Sequence, residues 1–164
     1  MEVKECSLYI VSDKYFSDFP SDRWMWNKGE NRPHYYALCD NAGMMWLIPL
    51  SSKVEKYEAK ILREESRRGN GSCLFYHIGK AAGRRQAFII SGMMPISEQY
   101  IVRPYTIDQI PVQVQNTKLN RELRTKALRY LHLLELHKLK DINNVLEIRK
   151  NLIDSSLQSS TNCR

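Results

Sequence analysis

Apolar residues fall in short extended runs along the first part of the chain and take up a helical rhythm only towards its end. Leu8-Tyr9-Ile10-Val11 predicts an opening strand that Ser12-Asp13 terminates. The polar stretch from Phe16 to Asn31, with Pro20, Gly29 and the pair Trp24 and Trp26, predicts a long surface loop with one helical turn. His34 to Asp40 and Met44 to Leu50 then form two strands around the turn Asn41-Ala42-Gly43. Lys56 to Arg68 has helix-forming composition, with Glu64 and Arg68 one turn apart, and Gly69-Asn70-Gly71 stops it. Ser72 to Ile78 and Gln86 to Ser91 predict a second hairpin around a Gly79–Gly83 turn, and Pro95 and Tyr100-Ile101-Val102 predict one or two closing strands. Asn116-Thr117 caps a long helix with Leu119, Leu123, Tyr130, Leu131 and Leu134 on one face. Asp141 caps a second helix with Ile142, Val145, Leu146, Leu152 and Ile153 on one face. This order predicts an α+β domain over residues 1–154, a bent antiparallel sheet with inserted and C-terminal helices, followed by a Ser-rich flexible tail over residues 155–164.

The length of 164 residues fits one domain, and 43% hydrophobic with 26% charged residues excludes collagen-like and wholly disordered chains. No apolar run is long enough to span a bilayer and no secretory leader is recognisable, which predicts a cytoplasmic protein without a membrane partner. Cys6, Cys39, Cys73 and Cys163 show no metal-knuckle or disulfide spacing, and are expected as three buried reduced thiols and one free thiol on the tail. His132 and His137, five positions apart, diverge on a helix by about 140° and make no metal pair. No metal or other cofactor is expected.

Charge changes this picture, because a formal net charge of +7 favours a polyanionic partner. The excess is regional: residues 1–56 carry seven basic and eight acidic side chains, whereas residues 57–150 carry seventeen and nine. Arg121, Arg124 and Arg129 lie on the long helix with Lys118 and Lys126, opposed only by Glu122, and Lys80, Arg84 and Arg85 cluster at the second hairpin. These two groups suit phosphate oxygens, and Trp24 and Trp26 suit base stacking. Gly79-Lys80-Ala81-Ala82-Gly83-Arg84 lacks the spacing of a nucleotide P-loop, so ATP and GTP are excluded as ligands. The chemistry concentrates at Pro49-Leu50-Ser51-Ser52-Lys53, where two hydroxyls and an amine follow the end of a strand. That combination suits a phosphate whose charge rises during reaction; a plain Ser-Ser helix cap is the structural alternative.

Lys14-Tyr15, Arg32-Pro33-His34-Tyr35 and Ile48-Pro49-Leu50-Ser51-Ser52-Lys53-Val54-Glu55-Lys56-Tyr57 occur in an order that resembles the endoribonuclease toxins of type III toxin-antitoxin systems, the ToxN, AbiQ and CptN group, with CptN-like members most similar. The resemblance runs from about residue 7 to residue 140. It implies a partly barrel-like sheet similar to the MazF and Kid toxins, and a sequence-specific, metal-independent RNase active against cellular or phage RNA. Such an enzyme cuts by 2'-hydroxyl attack and leaves a 2',3'-cyclic phosphate and a 5'-hydroxyl. The implied inhibitor is a repeated RNA pseudoknot antitoxin that the toxin processes and binds in a closed protein-RNA assembly. Ser51 and Ser52 match the family's Thr/Ser-Ser pair and would hold the scissile phosphate or the 2'-hydroxyl. Lys53 stands one position earlier than the family lysine. Lys14 and Tyr15 match a lysine-tyrosine pair whose ring can stack on a base, Arg32 opens the Arg-Pro-His segment assigned to RNA binding, and His34 stands where some relatives carry a lysine after proline.

An imidazole with an ordinary pKa near ~6.5 suits proton transfer at neutral pH. His34 and Lys53 are therefore expected to share proton transfer and charge stabilisation in either order, with the serines orienting the reacting groups. A non-catalytic RNA-binding module would also account for the charge. A DNA-binding regulator using the Lys118–Lys140 helix is the weaker alternative, since no helix-turn-helix pair precedes it.

Overall fold

The computed structural model describes residues 1–161. Its framework is a seven-stranded sheet in which β1 (Leu8–Val11), β2 (Pro33–Cys39), β3 (Met45–Ser51), β4 (Tyr76–Ala81), β5 (Arg84–Ile89), β6 (Met94–Ile96) and β7 (Ile101–Pro104) pair antiparallel. The path runs β4-β5-β3-β2-β1-β7, with β6 joining β3 off that path. The sheet bends without closing, as the α+β expectation requires.

All seven residues of β3 are buried, because strands flank it on both edges and apolar layers cover both faces. Tyr35, Ile48, Leu50 and Phe88 on one face pack with Leu119, Leu123 and Tyr130 of α3 (Thr117–Glu135). On the other, Tyr36, Leu47, Met94 and Ile96 pack with Ile148 and Leu152 of α4 (Val145–Thr161). Tyr15 of the short α1 (Asp13–Asp18) belongs to this second layer. A smaller cluster of Tyr57, Ala87 and Ile89 seats α2 (Val54–Arg68) against β5. Among the described residues no helix is long and apolar enough to cross a membrane.

Local chemistry explains where elements start and where they differ from expectation. Asn116 Oδ1 accepts from the Leu119 amide at 3.0 Å and caps α3. Asp141 accepts from the Val145 and Leu146 amides at 2.8 and 3.0 Å, so it does cap α4, but that helix begins only at Val145. It then continues to Thr161, so residues 155–161, expected as tail, are helical. Their hydroxyls turn back onto the helix, with Ser155 Oγ donating to Asn151 O at 2.8 Å and Ser159 Oγ to Ser155 O at 3.1 Å. The second hairpin turns on Ala82-Gly83 alone, both with positive φ, rather than on the whole Gly79–Gly83 stretch. Lys80 therefore lies on β4, and Arg84 and Arg85 lie on β5. A further hairpin of β8 (Thr106–Ile107) and β9 (Ile110–Pro111) was not expected from the pattern. Of the thiols, Cys73 is buried, Cys6 is half-buried and Cys39 is exposed, so the expectation of three buried thiols does not hold; Cys163 lies outside the described residues.

Candidate functional site

Strand β3 delivers the hydroxyls to the rim of the sheet. Leu50 pairs with Phe88 and Ser51 with Ala87, and the chain then leaves the sheet. Ser51 is buried, and its Oγ accepts from the Lys53 amide at 3.2 Å, which leaves its O–H free to donate. Ser52 and Lys53 are exposed. The serine pair does not cap the helix that follows: Lys53 occupies the N-cap position of α2, and no side chain caps that end. The uncapped amides of the first turn and the Lys53 ammonium thus lie beside the hydroxyls, an arrangement that favours negative charge.

The loop before β2 adds two further cations, Lys28 and Arg32, and the start of β5 adds Arg84. Asn27 anchors it through Nδ2, which donates to Val11 O and to Asp13 Oδ1 at 2.8 Å each. The Asn27 carbonyl accepts the amides of Asn31 and Arg32, both at 3.1 Å, closing a turn in which Lys28, Gly29 and Glu30 have φ of 56°, 61° and 60°. Left-handed backbone at the two non-glycine positions, Lys28 and Glu30, is costly and is held by these bonds. Arg32 is buried, its Nε donating to Trp26 O at 2.7 Å and its Nη1 to Leu50 O at 2.6 Å. Burial, then the charges of Arg32, Arg84 and Lys53, hold the half-buried Lys28 ammonium below the ordinary lysine pKa. The rim thus gathers Lys28, Arg32, Lys53 and Arg84 around two serines.

Several residues singled out in the sequence lie elsewhere. His34 is 1% exposed, its Nδ1 3.0 Å from Arg32 O, and burial pulls its pKa down to about 3. It is a neutral internal ring at physiological pH, which corrects the expectation of a proton carrier titrating near neutrality. Tyr15 is also inside, its hydroxyl donating to Pro95 O at 2.9 Å and its ring set among Phe16, Phe19, Trp24 and Tyr100, so it offers no stacking face. Lys14 is exposed and pairs with Asp18 at 2.6 Å. The two tryptophans separate: Trp24 is half-buried with Nε1 on Phe19 O at 2.8 Å, whereas Trp26 is 76% exposed beside the basic rim. Arg32 spends two of its guanidinium nitrogens on backbone carbonyls, so its direct RNA contact is replaced by a fixed internal charge.

Lys80 is exposed, and Arg85 is occupied by Glu58. On α3, Arg121 and Arg129 join Lys118 and Lys126 along a groove of about 670 Å³ that Ser72 and Leu74 close from the other side. Arg124 does not line it and pairs with Glu5 at 3.4 Å. The sequence reading missed Lys28, whose signal is a lysine next to glycine inside a long polar loop anchored by asparagines. Among the described residues no three His, Cys, Asp or Glu side chains form a group able to hold a metal ion.

No family model and no curated protein matches the chain. Among solved structures, it is similar to that of a bacterial antiviral system regulated by a processed non-coding RNA, with a TM-score of 0.56 at 15% identity, covering 88% of this chain and 98% of the other. The likeness is one of fold over nearly the whole of both chains.

Proposed function

We propose that the protein is the toxin of a type III toxin-antitoxin system, a metal-independent, sequence-specific endoribonuclease held in check by a repeated RNA pseudoknot that it cuts from a precursor. The observation that carries this reading is the convergence of Lys28, Arg32, Lys53 and Arg84 on the Ser51-Ser52 rim, beside an uncapped helix end. The shared fold with a protein of an RNA-regulated antiviral system supports the same biological setting.

In this mechanism Lys28, in the fraction of molecules where its amine is deprotonated, takes the 2'-hydroxyl proton and the 2'-oxygen attacks the adjacent phosphorus. Arg84, Lys53 and the first-turn amides of α2 carry the charge of the phosphorane. The bond from phosphorus to the 5'-oxygen breaks, and that oxygen takes a proton from Lys53. Ser51 and Ser52 orient the phosphate by donating their hydroxyl protons, and the exposed Trp26 ring stacks on a neighbouring base. Arg32 and His34 act indirectly, the first by fixing the end of β3 and the second by packing beneath it.

The test is incubation of purified protein with bacterial RNA in the presence of EDTA, followed by end-group analysis. New 2',3'-cyclic phosphates and 5'-hydroxyls with the intact protein, and their loss with Ser52→Ala, support the reading. The burial of His34 takes its imidazole away from the rim and favours, as second reading, an RNA-binding module without chemistry. RNA binding with no new ends in any variant selects that alternative.

A further inference from the structure

A cleft of about 450 Å³ opens along α2, away from the serine rim, between that helix, the start of β4 and the segment joining α3 to α4. Its floor is aromatic. Phe75, Tyr76 and Tyr130 line it, with ring centroids 6.3 Å apart for Phe75 and Tyr76 and 6.2 Å apart for Phe75 and Tyr130. Its rim is basic, formed by Lys60 and Arg63 of α2 and by Lys140. Among the described residues none of these three cations forms an ion pair, although eight of the chain's other lysines and arginines do. The Lys60 ammonium instead stands 5.4 Å from the ring centroids of both Tyr57 and Tyr76. Burying aromatic faces under unpaired cations suits a ligand that is flat, apolar on its faces and anionic at its edge.

We propose that this cleft is a second RNA subsite, which holds one unpaired nucleobase of a bound strand on the half-buried Phe75 and Tyr76 rings, backed from below by the buried Tyr130, and its flanking phosphates on Lys60, Arg63 and Lys140. The proposal rests on the nucleic-acid reading above but not on cleavage. The aromatic run reaches the rim itself, since the Tyr57 and Tyr76 centroids are 5.1 Å apart and the charge of Arg32 acts on the Tyr57 phenol. Glu64, half-buried at the same cleft, supplies a carboxylate acceptor for the exocyclic amine of a base such as adenine.

The experiment compares binding of a fluorescent oligoadenylate with an abasic strand of the same length and charge, by anisotropy. Tyr76→Ala is expected to lower the preference for the base-bearing strand about 10-fold, whereas Tyr76→Phe retains it. Paired Arg63→Ala and Lys140→Ala replacements weaken both strands alike and flatten the salt dependence. As a measurement independent of variant folding, a 5-iodouridine-containing strand irradiated on the wild-type protein should crosslink to the peptide bearing Phe75 and Tyr76. Crosslinks confined to Trp26, or an unchanged base preference in folded Tyr76→Ala, overturn the proposal while leaving cleavage intact. Adenosine monophosphate that binds without displacing the strand also overturns it, in favour of a free nucleotide. A strand that binds and crosslinks here without being cut sustains it while the nuclease reading falls, and a wild-type protein that binds neither strand removes both.

Discussion

Arg32 Nη1 donates to the carbonyl oxygen of Leu50 at 2.6 Å, one residue before the serine pair. The same guanidinium holds Trp26 O through Nε at 2.7 Å, so one buried side chain ties the loop that carries Lys28 and Trp26 to the strand that carries Ser51. The relative position of two chain segments is thereby set by a single residue.

Arg32→Ala is expected to destabilise the fold by about 3 kcal/mol, since the buried Leu50 carbonyl and the half-buried Trp26 carbonyl lose charge-assisted donors. Arg32→Lys recovers part of that but cannot reach both acceptors with planar geometry. Chemical denaturation measures the stability, and RNA cleavage should fall more steeply than stability in the lysine variant because the rim is displaced.

His34 makes the protein acid-sensitive in a defined window. Its folded pKa of about 3 lies below the ordinary value of 6.5, so the folded state refuses a proton that the unfolded chain accepts. Stability from this group is complete above pH ~6.5 and declines towards pH ~3 by at most about 1.4 kcal/mol per pH unit. Thermal unfolding between neutral and acid pH should show a shallower decline for His34→Gln than for wild type; parallel curves would refute the assignment.

Lys28 should control the alkaline side of the reaction. Its lowered pKa makes the neutral amine more available than that of an ordinary lysine, so cleavage should rise with pH until Lys28 is deprotonated. Lys28→Arg retains charge but stays protonated and cannot accept the 2'-hydroxyl proton, and is expected to cut about 10²-fold more slowly and to lose that limb of the profile. An unaltered profile would assign the proton to another group.

Gly79 tests the seat of α3. A Cβ at this position would meet Leu119 Cδ1 at 2.6 Å and Cδ2 at 2.8 Å, and Leu119 is itself in the core. Gly79→Ala should cost about 1–3 kcal/mol, read from the denaturation midpoint, with relief in Gly79→Ala combined with Leu119→Ala.

Asp40 tests how α4 is held. Its Oδ2 accepts from Trp46 Nε1 at 2.9 Å and from Arg149 Nε at 2.7 Å, while Oδ1 accepts the Ala42 and Met44 amides at 2.9 and 3.0 Å. Asp40→Ala should destabilise by about 3–5 kcal/mol, because it strands a half-buried arginine and an indole donor.

The elements whose signals are local were legible. The β2–β3 hairpin follows from Asn41-Ala42-Gly43 between apolar runs, and α3 from an asparagine cap before a repeating leucine face. What the chain pattern concealed depends on contacts distant in sequence. Tyr15 looks like an available ring until Pro95 and Tyr100 enclose it, and His34 looks titratable until the sheet buries it. At the rim, Ser51, Ser52, Lys53 and Arg84 were named from sequence, whereas Lys28 was hidden because its position depends on a left-handed turn. The serine-rich end of α4 reads as irregular because serine has no strong helical preference; its side chains bond to the preceding turn instead.

Helix α2 leaves the sheet directly at Lys53 and bears Arg63 ten positions further on, a separation of about 15 Å along a straight rod. Hydroxyls at its head and cations on its flank move together, so the helix is a ruler. Whatever molecule spans it is gauged from one fixed mark to the other, and inserting or deleting a turn of that rod would change the measured length without altering either end.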